Sequence, residues 1–138
     1  MNEYGFRSLV VWQKAKALAV DIYRITNGDG IKRDYSLVDQ MRRSAVSVPS
    51  NIAEGDERSS DKDSVRFFYI AKGSSAELAT QLEIARDVGY FTSAQVEPLI
   101  VECLELGKML GALIRARTSA SFRVPSPMPL APSPMPRA

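Results

Sequence analysis

The sequence predicts an all-α protein, an antiparallel up-down-up-down four-helix bundle followed by a disordered, proline-rich C-terminal tail. Four segments repeat apolar residues at three- and four-residue spacing, which is typical of amphipathic helices. No segment alternates apolar and polar residues with period two, as a half-buried strand would. Six of the eight prolines follow residue 119. We therefore assign the bundle to residues 1–118 and the tail to residues 119–138.

The first helix is expected over residues 9–26. Its apolar positions recur every three or four residues, at Trp12, Ala15, Ala19 and Ile22. Ser8 can cap its start, and the Asn-Gly-Asp-Gly turn at residues 27–30 ends it. The segment is therefore expected to bury one face.

The second helix is expected from about residue 36 to residue 57, with Ser36 and Asp39 resembling a capping box. Pro49 lies inside this segment, where a missing N–H and a bulky ring usually kink a helix. The apolar stripe continues in phase beyond the proline, which predicts one bent helix and not two. Gly55 is expected to end it.

The third helix is expected from about residue 60 to residue 88, opened by a cap formed by Ser60 and Asp63. Its stripe is regular, and Gly73 is expected to permit close approach of a neighbouring helix. Gly89 occupies the position of a left-handed C-cap. This helix is therefore expected to carry the longest packing seam.

The fourth helix is expected to open with Thr92 and Gln95 and to reach about residue 117. Its stripe repeats the same alternation, at Val96, Leu99, Cys103, Leu106, Leu110 and Leu113. Pro98 is expected either to bend this helix or to mark a later start.

The composition restricts the chemistry. The chain has no histidine, which excludes Ser-His and Cys-His nucleophile pairs, histidine bases and imidazole metal ligands. We therefore predict no catalytic residue, metal site, cofactor or small-molecule substrate. The single Cys103 lies on an apolar stripe and is expected to be a small core residue. Without a membrane-spanning run or a signal-peptide pattern, a cytoplasmic protein with no membrane association is expected.

Basic residues concentrate in the N-terminal third. Residues 1–43 hold eight Lys or Arg against five Asp or Glu, whereas residues 44–118 hold eight against eleven. Cations of this kind bind phosphate oxygens, and the candidates for binding RNA or DNA are Lys14, Lys16, Arg24, Lys32, Arg33, Arg42 and Arg43. The alternative is that they are solvated or form ion pairs, for example Arg42 with Asp39 one turn earlier.

Four stretches carry a resemblance to a known family: LVVWQKAKALAVDIY at residues 9–23, QMRRSAVSVPSNIAEGDER at residues 40–58, FFYIAKGSSAEL at residues 67–78 and KML at residues 108–110. From about residue 6 to residue 117, the chain resembles the four-helix-bundle family named for proteins encoded within 23S rRNA intervening sequences. That family includes the accessory variability determinant of diversity-generating retroelements.

The resemblance implies a four-helix protomer that assembles into a homo-oligomer, a pentamer. In the retroelement branch it also implies binding of nucleic acid and of a reverse transcriptase through a basic surface. It implies no catalytic residues.

A second, non-enzymatic interpretation stays open at this point. The chain could be a protein-interaction scaffold without nucleic-acid binding, in which Trp12 is either an exposed anchor or part of the core. Asn51 and Glu54 are assigned to contacts within the bundle or between subunits, because no second titratable group accompanies them.

Overall fold

The computed structural model describes residues 5–122, with side chains as far as Ser119. A 3-10 turn at Gly5–Ser8 precedes four helices, α1 (Val10–Ile25), α2 (Tyr35–Asp56), α3 (Asp61–Asp87) and α4 (Ser93–Phe122). This part of the chain contains no strand, so the all-α prediction is confirmed.

The fourth helix is longer than expected. It ends at Phe122, whereas the sequence predicted an end near residue 117 and a tail from residue 119. Residues 119–122 contain no proline or glycine, and the first proline of the tail is Pro125, so nothing stops the helix earlier. The rest of the predicted tail lies outside the described residues.

The helices pack as a four-helix bundle. Helix α3 packs extensively against α2 and α4, whereas α1 packs mainly against α2 and only lightly against α4. Within residues 5–122, the backbones of the diagonal pairs α1–α3 and α2–α4 do not approach each other closely, although Arg117 of α4 forms an ion pair with Asp56 at the end of α2 at 3.3 Å. Short loops join consecutive helices that pack side by side, so neighbours run antiparallel.

The core is formed by the predicted stripes. All four helices and the α1–α2 loop contribute to it, and its largest fully buried side chains include Phe68, Ile22, Ile31, Met41 and Leu106. Each such side chain contributes about 1.5–3 kcal/mol relative to an exposed one. The lone Cys103 is buried among them, and burial raises the pKa of its thiol to about 12. The prediction of a small core residue is confirmed.

Two of the predicted N-terminal caps are confirmed. The Asp63 N–H donates to Ser60 Oγ at 3.2 Å. The Thr92 N–H donates to Gln95 Oε1 at 2.8 Å while the Gln95 N–H donates to Thr92 Oγ1 at 3.2 Å. Gly89 has φ +99°, as a left-handed C-cap requires.

Two other helix starts differ from the prediction. Leu9 occupies the N-cap of α1 in place of Ser8, whose hydroxyl donates to the Gly5 carbonyl. Asp34 caps α2 in place of Ser36, because Asp34 Oδ1 accepts the Leu37 N–H at 3.1 Å. Asp34 Oδ2 also accepts the Tyr90 hydroxyl at 2.8 Å, so the cap ties α2 to the loop that precedes α4.

Helix α2 continues through Pro49 as one helix, as predicted. Across Pro49, the side-chain amide of Asn51 donates to both the backbone carbonyl and the hydroxyl of Ser47. The Ser47 hydroxyl in turn lies 2.8 Å from the Ser74 hydroxyl on α3. Pro98 lies within α4, which begins at Ser93, so it does not delay the start of that helix.

Gly55 has a different role from the predicted helix end. It has no left-handed φ, and α2 continues to Asp56. A Cβ built on Gly55 would lie 2.6 Å from Cε1 of Phe68 and 3.0 Å from the Ser64 carbonyl oxygen. The Ser64 hydroxyl donates to the Gly55 carbonyl at 2.6 Å. Gly55 therefore allows α2 and α3 to approach closely.

Gly73 makes no such approach within the protomer. It is exposed on α3, and a Cβ built there would meet nothing within 4 Å. Among the described residues of the protomer, the expectation that Gly73 permits close approach of a neighbouring helix is wrong, because this position faces away from α2 and α4, whereas an approach between subunits stays a prediction.

Candidate nucleic-acid interface

Three of the predicted phosphate-binding residues line one open groove. Helices α1 and α2 enclose a space of about 670 Å³, which we call the α1–α2 groove. Its lining consists of Lys16, Ala19, Val20, Tyr23, Arg24, Asn27, Arg42, Val46 and Pro49. It therefore combines three cations with a largely apolar floor.

Helical spacing explains why these side chains meet. On α1, the positions 16, 20 and 23 are separated by four and three residues, which places them on one stripe, and Asn27 follows in the turn after α1. On α2, the positions 42, 46 and 49 are separated by four and three residues. Antiparallel packing of α1 against α2 aligns the two stripes, and the groove lies between them.

Arg42 is used within the protomer. Its Nε donates to Thr26 Oγ1 at 2.9 Å, and its Nη2 donates to the Tyr23 carbonyl at 3.4 Å. The guanidinium also lies 4.5 Å from the centroid of the Tyr23 ring. Carbonyls at the C-terminal end of a helix lack intrahelical partners, and a cation there is favourable. Arg42 therefore closes the end of α1.

Arg43, not Arg42, pairs with Asp39. Its Nε donates to Asp39 Oδ2 at 2.8 Å across one helical turn, and this hydrogen bond raises the pKa of Arg43. Arg43 lies on the side of α2 that faces α3, outside the α1–α2 groove. The structure thus separates the two adjacent arginines, as the helical turn between neighbouring residues requires.

The other two groove cations are more available. Lys16 lies with its ammonium 5.5 Å from the centroid of the Trp12 ring, and Arg24 has no ion pair or side-chain hydrogen bond with any described residue. Both side chains are exposed. A cation–π contact at an exposed site is worth only about 0.5–1 kcal/mol, so it does not prevent Lys16 from contacting a phosphate.

The remaining basic candidates do not join the groove. Lys14 is exposed on another side of α1, and Arg33 is exposed in the α1–α2 loop. Lys32 lies in the same loop and forms an ion pair with Asp29 at 3.3 Å. The structure therefore brings together three of the seven predicted residues and distributes the other four around α1, its loop and α2.

The residues assigned to structural contacts make local ones. Trp12 is half-buried, packs against the core and lies 5.2 Å from the Phe6 ring. Glu54 forms an exposed ion pair with Arg58 at 2.6 Å. Among the described residues, the Asn51 side chain bonds to Ser47 of its own helix turn and to no other. These contacts lie within the protomer.

Sequence reasoning missed the aromatic and apolar part of this groove. Tyr23, Val20 and Val46 are 45%, 41% and 41% exposed, although residues of these types usually bury their side chains. The available signal was the stripe that starts at Lys16, because the same spacing that identified the core face also places these residues together on the neighbouring face.

Comparisons with known proteins match most of the chain. The family model described as 23S rRNA-intervening sequence protein matches residues 7–112, which include every residue of the α1–α2 groove. A solved structure similar to this one is a protein with unknown function from the S23 ribosomal protein family of Bacteroides thetaiotaomicron VPI-5482. Identity is 27%, the match covers 77% of this chain and 99% of that chain, and the TM-score is 0.71. No curated protein matches the sequence.

Proposed function

This chain belongs to the family of 23S rRNA-intervening sequence proteins, and from that premise we propose that it is a non-enzymatic, oligomeric accessory protein that binds nucleic acid through the basic α1–α2 groove. The observation that carries the proposal is the convergence of Lys16, Arg24 and Arg42 beside the exposed Tyr23 ring. Cations that follow a phosphate backbone, together with an aromatic face for bases, are the usual parts of a single-strand binding surface.

Assembly would increase the affinity. The chain carries a formal net charge of only +2, so one protomer attracts a polyanion weakly. We propose a homo-oligomer of five subunits. Such an assembly repeats the groove in every copy and multiplies the number of counterions released on binding. Exposed apolar side chains on the outer face of α3, Ile70, Ile84 and Val88, support a further contact that covers them.

The finer proposal concerns the partner. In the diversity-generating retroelement branch of the family, the protein would assist a reverse transcriptase in the cytoplasm. A gene for a reverse transcriptase beside the gene for this chain, and co-purification of the two proteins, would support that branch. Co-expression without complex formation would contradict it.

Nucleic-acid binding is tested by a salt series. Light scattering first gives the subunit count, and the affinity for a structured RNA is then measured between low and physiological salt. Log affinity should fall linearly with log salt, and Lys16→Glu with Arg24→Glu should reduce the slope by about one for each phosphate that is no longer neutralised. Arg42 is left intact because it closes the end of α1.

Lys14→Glu is the matched control. It makes the charge change of one of those two substitutions, on the same helix but outside the α1–α2 groove. An equal loss in both variants would show a diffuse charge effect and would contradict a groove. Absence of RNA binding at low salt would contradict the proposal as a whole.

The scaffold remains the second candidate. The α1–α2 groove has an apolar floor formed by Val20, Val46 and Pro49, and such a floor also suits a protein helix. Under this alternative Val46→Glu abolishes a protein interaction, whereas the Lys16→Glu and Arg24→Glu changes alter it little.

A further inference from the structure

A second basic groove lies on the opposite side of the bundle. Helices α3 and α4 enclose a space of about 710 Å³, which we call the α3–α4 groove. Its lining consists of Lys72, Ser75, Ala76, Cys103, Leu104, Gly107, Lys108, Gly111 and Arg115. Three of these residues are basic, and no acidic side chain of the described residues lines it.

Two of the cations converge on one point. A Cβ built on Gly111 would lie 3.6 Å from Nη1 of Arg115 and 3.7 Å from Cε of Lys72. The ends of the Lys72 side chain on α3 and the Arg115 side chain on α4 therefore both lie beside the position that a Gly111 side chain would occupy. Two like charges in one groove repel each other, and an anion between them relieves that repulsion. The missing side chain leaves room for it.

The groove cations are unpaired, unlike the arginines near them. Arg66, Arg86 and Arg117 on the same two helices all form ion pairs. The side chains of Lys72, Lys108 and Arg115 form no ion pair or hydrogen bond with any described residue. Three uncompensated cations in one groove favour an anionic occupant.

The arrangement favours a chain of anions over a single ion. Lys108 and Arg115 lie two turns apart on one face of α4, a separation of about 10 Å at 1.5 Å per residue. This distance is larger than one phosphate group, so the two cations can contact different phosphates of one strand. Lys72 faces the pair from α3. Three cations in such a triangle can contact phosphates at separate positions along that strand.

The floor argues against a protein helix as the occupant. Protein interfaces are anchored by large aromatic or arginine side chains that fill pockets on the partner. Here the described lining offers no aromatic side chain and one large exposed apolar side chain, Leu104, so it supplies little of the apolar area that anchors a protein helix. The chain's own residues 123–138 contain two arginines and no acidic residue, so their charge does not fit either.

We propose that the α3–α4 groove is a second binding site for the phosphate backbone of a nucleic acid, centred on Lys72 and Arg115 beside Gly111. This inference rests on the proposed nucleic-acid binding and adds a site that the N-terminal basic residues do not include. With grooves on opposite faces, one protomer holds two separate segments of nucleic acid.

The test uses the full chain, a labelled single-stranded oligonucleotide and the double variant Lys72→Glu with Arg115→Glu. Its affinity should fall about tenfold or more, and the salt slope should decrease by about two, one for each phosphate that these side chains neutralise. Thermal unfolding should remain two-state with little change in midpoint, since neither side chain has a partner among the described residues. The control is Lys62→Glu, which reverses one charge on α3 outside the groove, as Lys72→Glu alone does inside it, and should alter affinity less than about twofold.

The outcomes separate this inference from the proposed function. The double variant could bind with wild-type affinity and a wild-type salt slope while Lys16→Glu with Arg24→Glu binds more weakly. That result would overturn the second binding site and leave the α1–α2 groove as the first. Failure of the wild type to bind both the oligonucleotide and the structured RNA at low salt would overturn both. The wild type could bind polyglutamate more tightly than the oligonucleotide and lose that binding in the double variant. That result would overturn the second nucleic-acid binding site, because it would assign the groove to an acidic protein.

Discussion

The two grooves hold the same number of cations but use them differently. In the α1–α2 groove, Arg42 is bonded to Thr26 and stacked on Tyr23, so its charge already serves the fold. In the α3–α4 groove, Lys72 and Arg115 point at a common space without a partner among the described residues. The difference shows that the number of basic residues in a segment does not measure the charge that a ligand can use.

The largest expected effect is at Gly55, where α2 packs closely against α3 between the two grooves. Gly55→Ala would place a methyl group 2.6 Å from the Phe68 ring, and overpacking of this kind costs about 1–3 kcal/mol. We expect a lower free energy of unfolding in urea and, close to the midpoint, parallel disruption of both grooves. Gly73→Ala is the control, and it should stabilise the protomer by about 0.5–1 kcal/mol. A fully stable Gly55→Ala variant would contradict the close α2–α3 approach.

The comparison itself is tested by two arginine deletions. Arg42→Ala should destabilise the protein by about 1–2 kcal/mol, because it removes hydrogen bonds from a charged donor. Arg115→Ala should change the free energy of unfolding by less than about 0.5 kcal/mol. Arg42→Lys keeps the charge but lacks the planar fork, so it should not restore stability. Equal effects of the two deletions would remove the distinction between the grooves.

Gly111→Ala separates stability from binding. Its Cβ would meet ordinary van der Waals contacts at 3.6 Å and 3.7 Å, so the better helix propensity of alanine should add about 0.5–1 kcal/mol of stability. The methyl group would occupy the space between Lys72 and Arg115, and oligonucleotide affinity should fall about fivefold, or about 1 kcal/mol. A more stable variant with unchanged affinity would place the phosphate elsewhere.

The smallest effect concerns Cys103 beneath the α3–α4 groove. Its pKa is raised from 9.0 to about 12 by burial, so the folded state keeps the proton that the unfolded state releases. Stability therefore falls as pH rises through the unfolded value, and the decrease attributable to this thiol stays below about 1 kcal/mol at pH 9. Urea unfolding of wild type and Cys103→Ala at pH 7 and pH 9 measures it. An equal pH dependence in both proteins would contradict a buried thiol.

Local patterns made most of the fold predictable. The spacing of apolar residues identified four helices, and the Thr92–Gln95 pair and Gly89 were recognised at helix ends because those contacts span a few residues. The start of α2 was misjudged because Asp34 and Ser36 are both good caps. The end of α4 was misjudged because the residues before Pro125 favour no early stop.

The use of each cation was not predictable in the same way. Arg42 and Thr26 are sixteen residues apart, and Lys72 and Arg115 belong to different helices, so no local pattern relates them. Composition also directed attention to the N-terminal third, where basic residues are in excess. The α3–α4 groove lies in a segment with a negative balance, and its cations are separated from the acidic residues only after folding.

The unequal packing of α1 has a consequence for how the molecule opens. Helix α1 rests mainly on α2 and only lightly on α4, whereas α3 is held firmly on both sides. Backbone amides of α1 should therefore exchange with deuterium earliest among the four helices, through partial unfolding that leaves α2, α3 and α4 associated. The hydrogen bonds from Arg42 to Thr26 and Tyr23 hold the end of α1 against α2. A ligand that competes for this guanidinium would therefore favour the opening of α1.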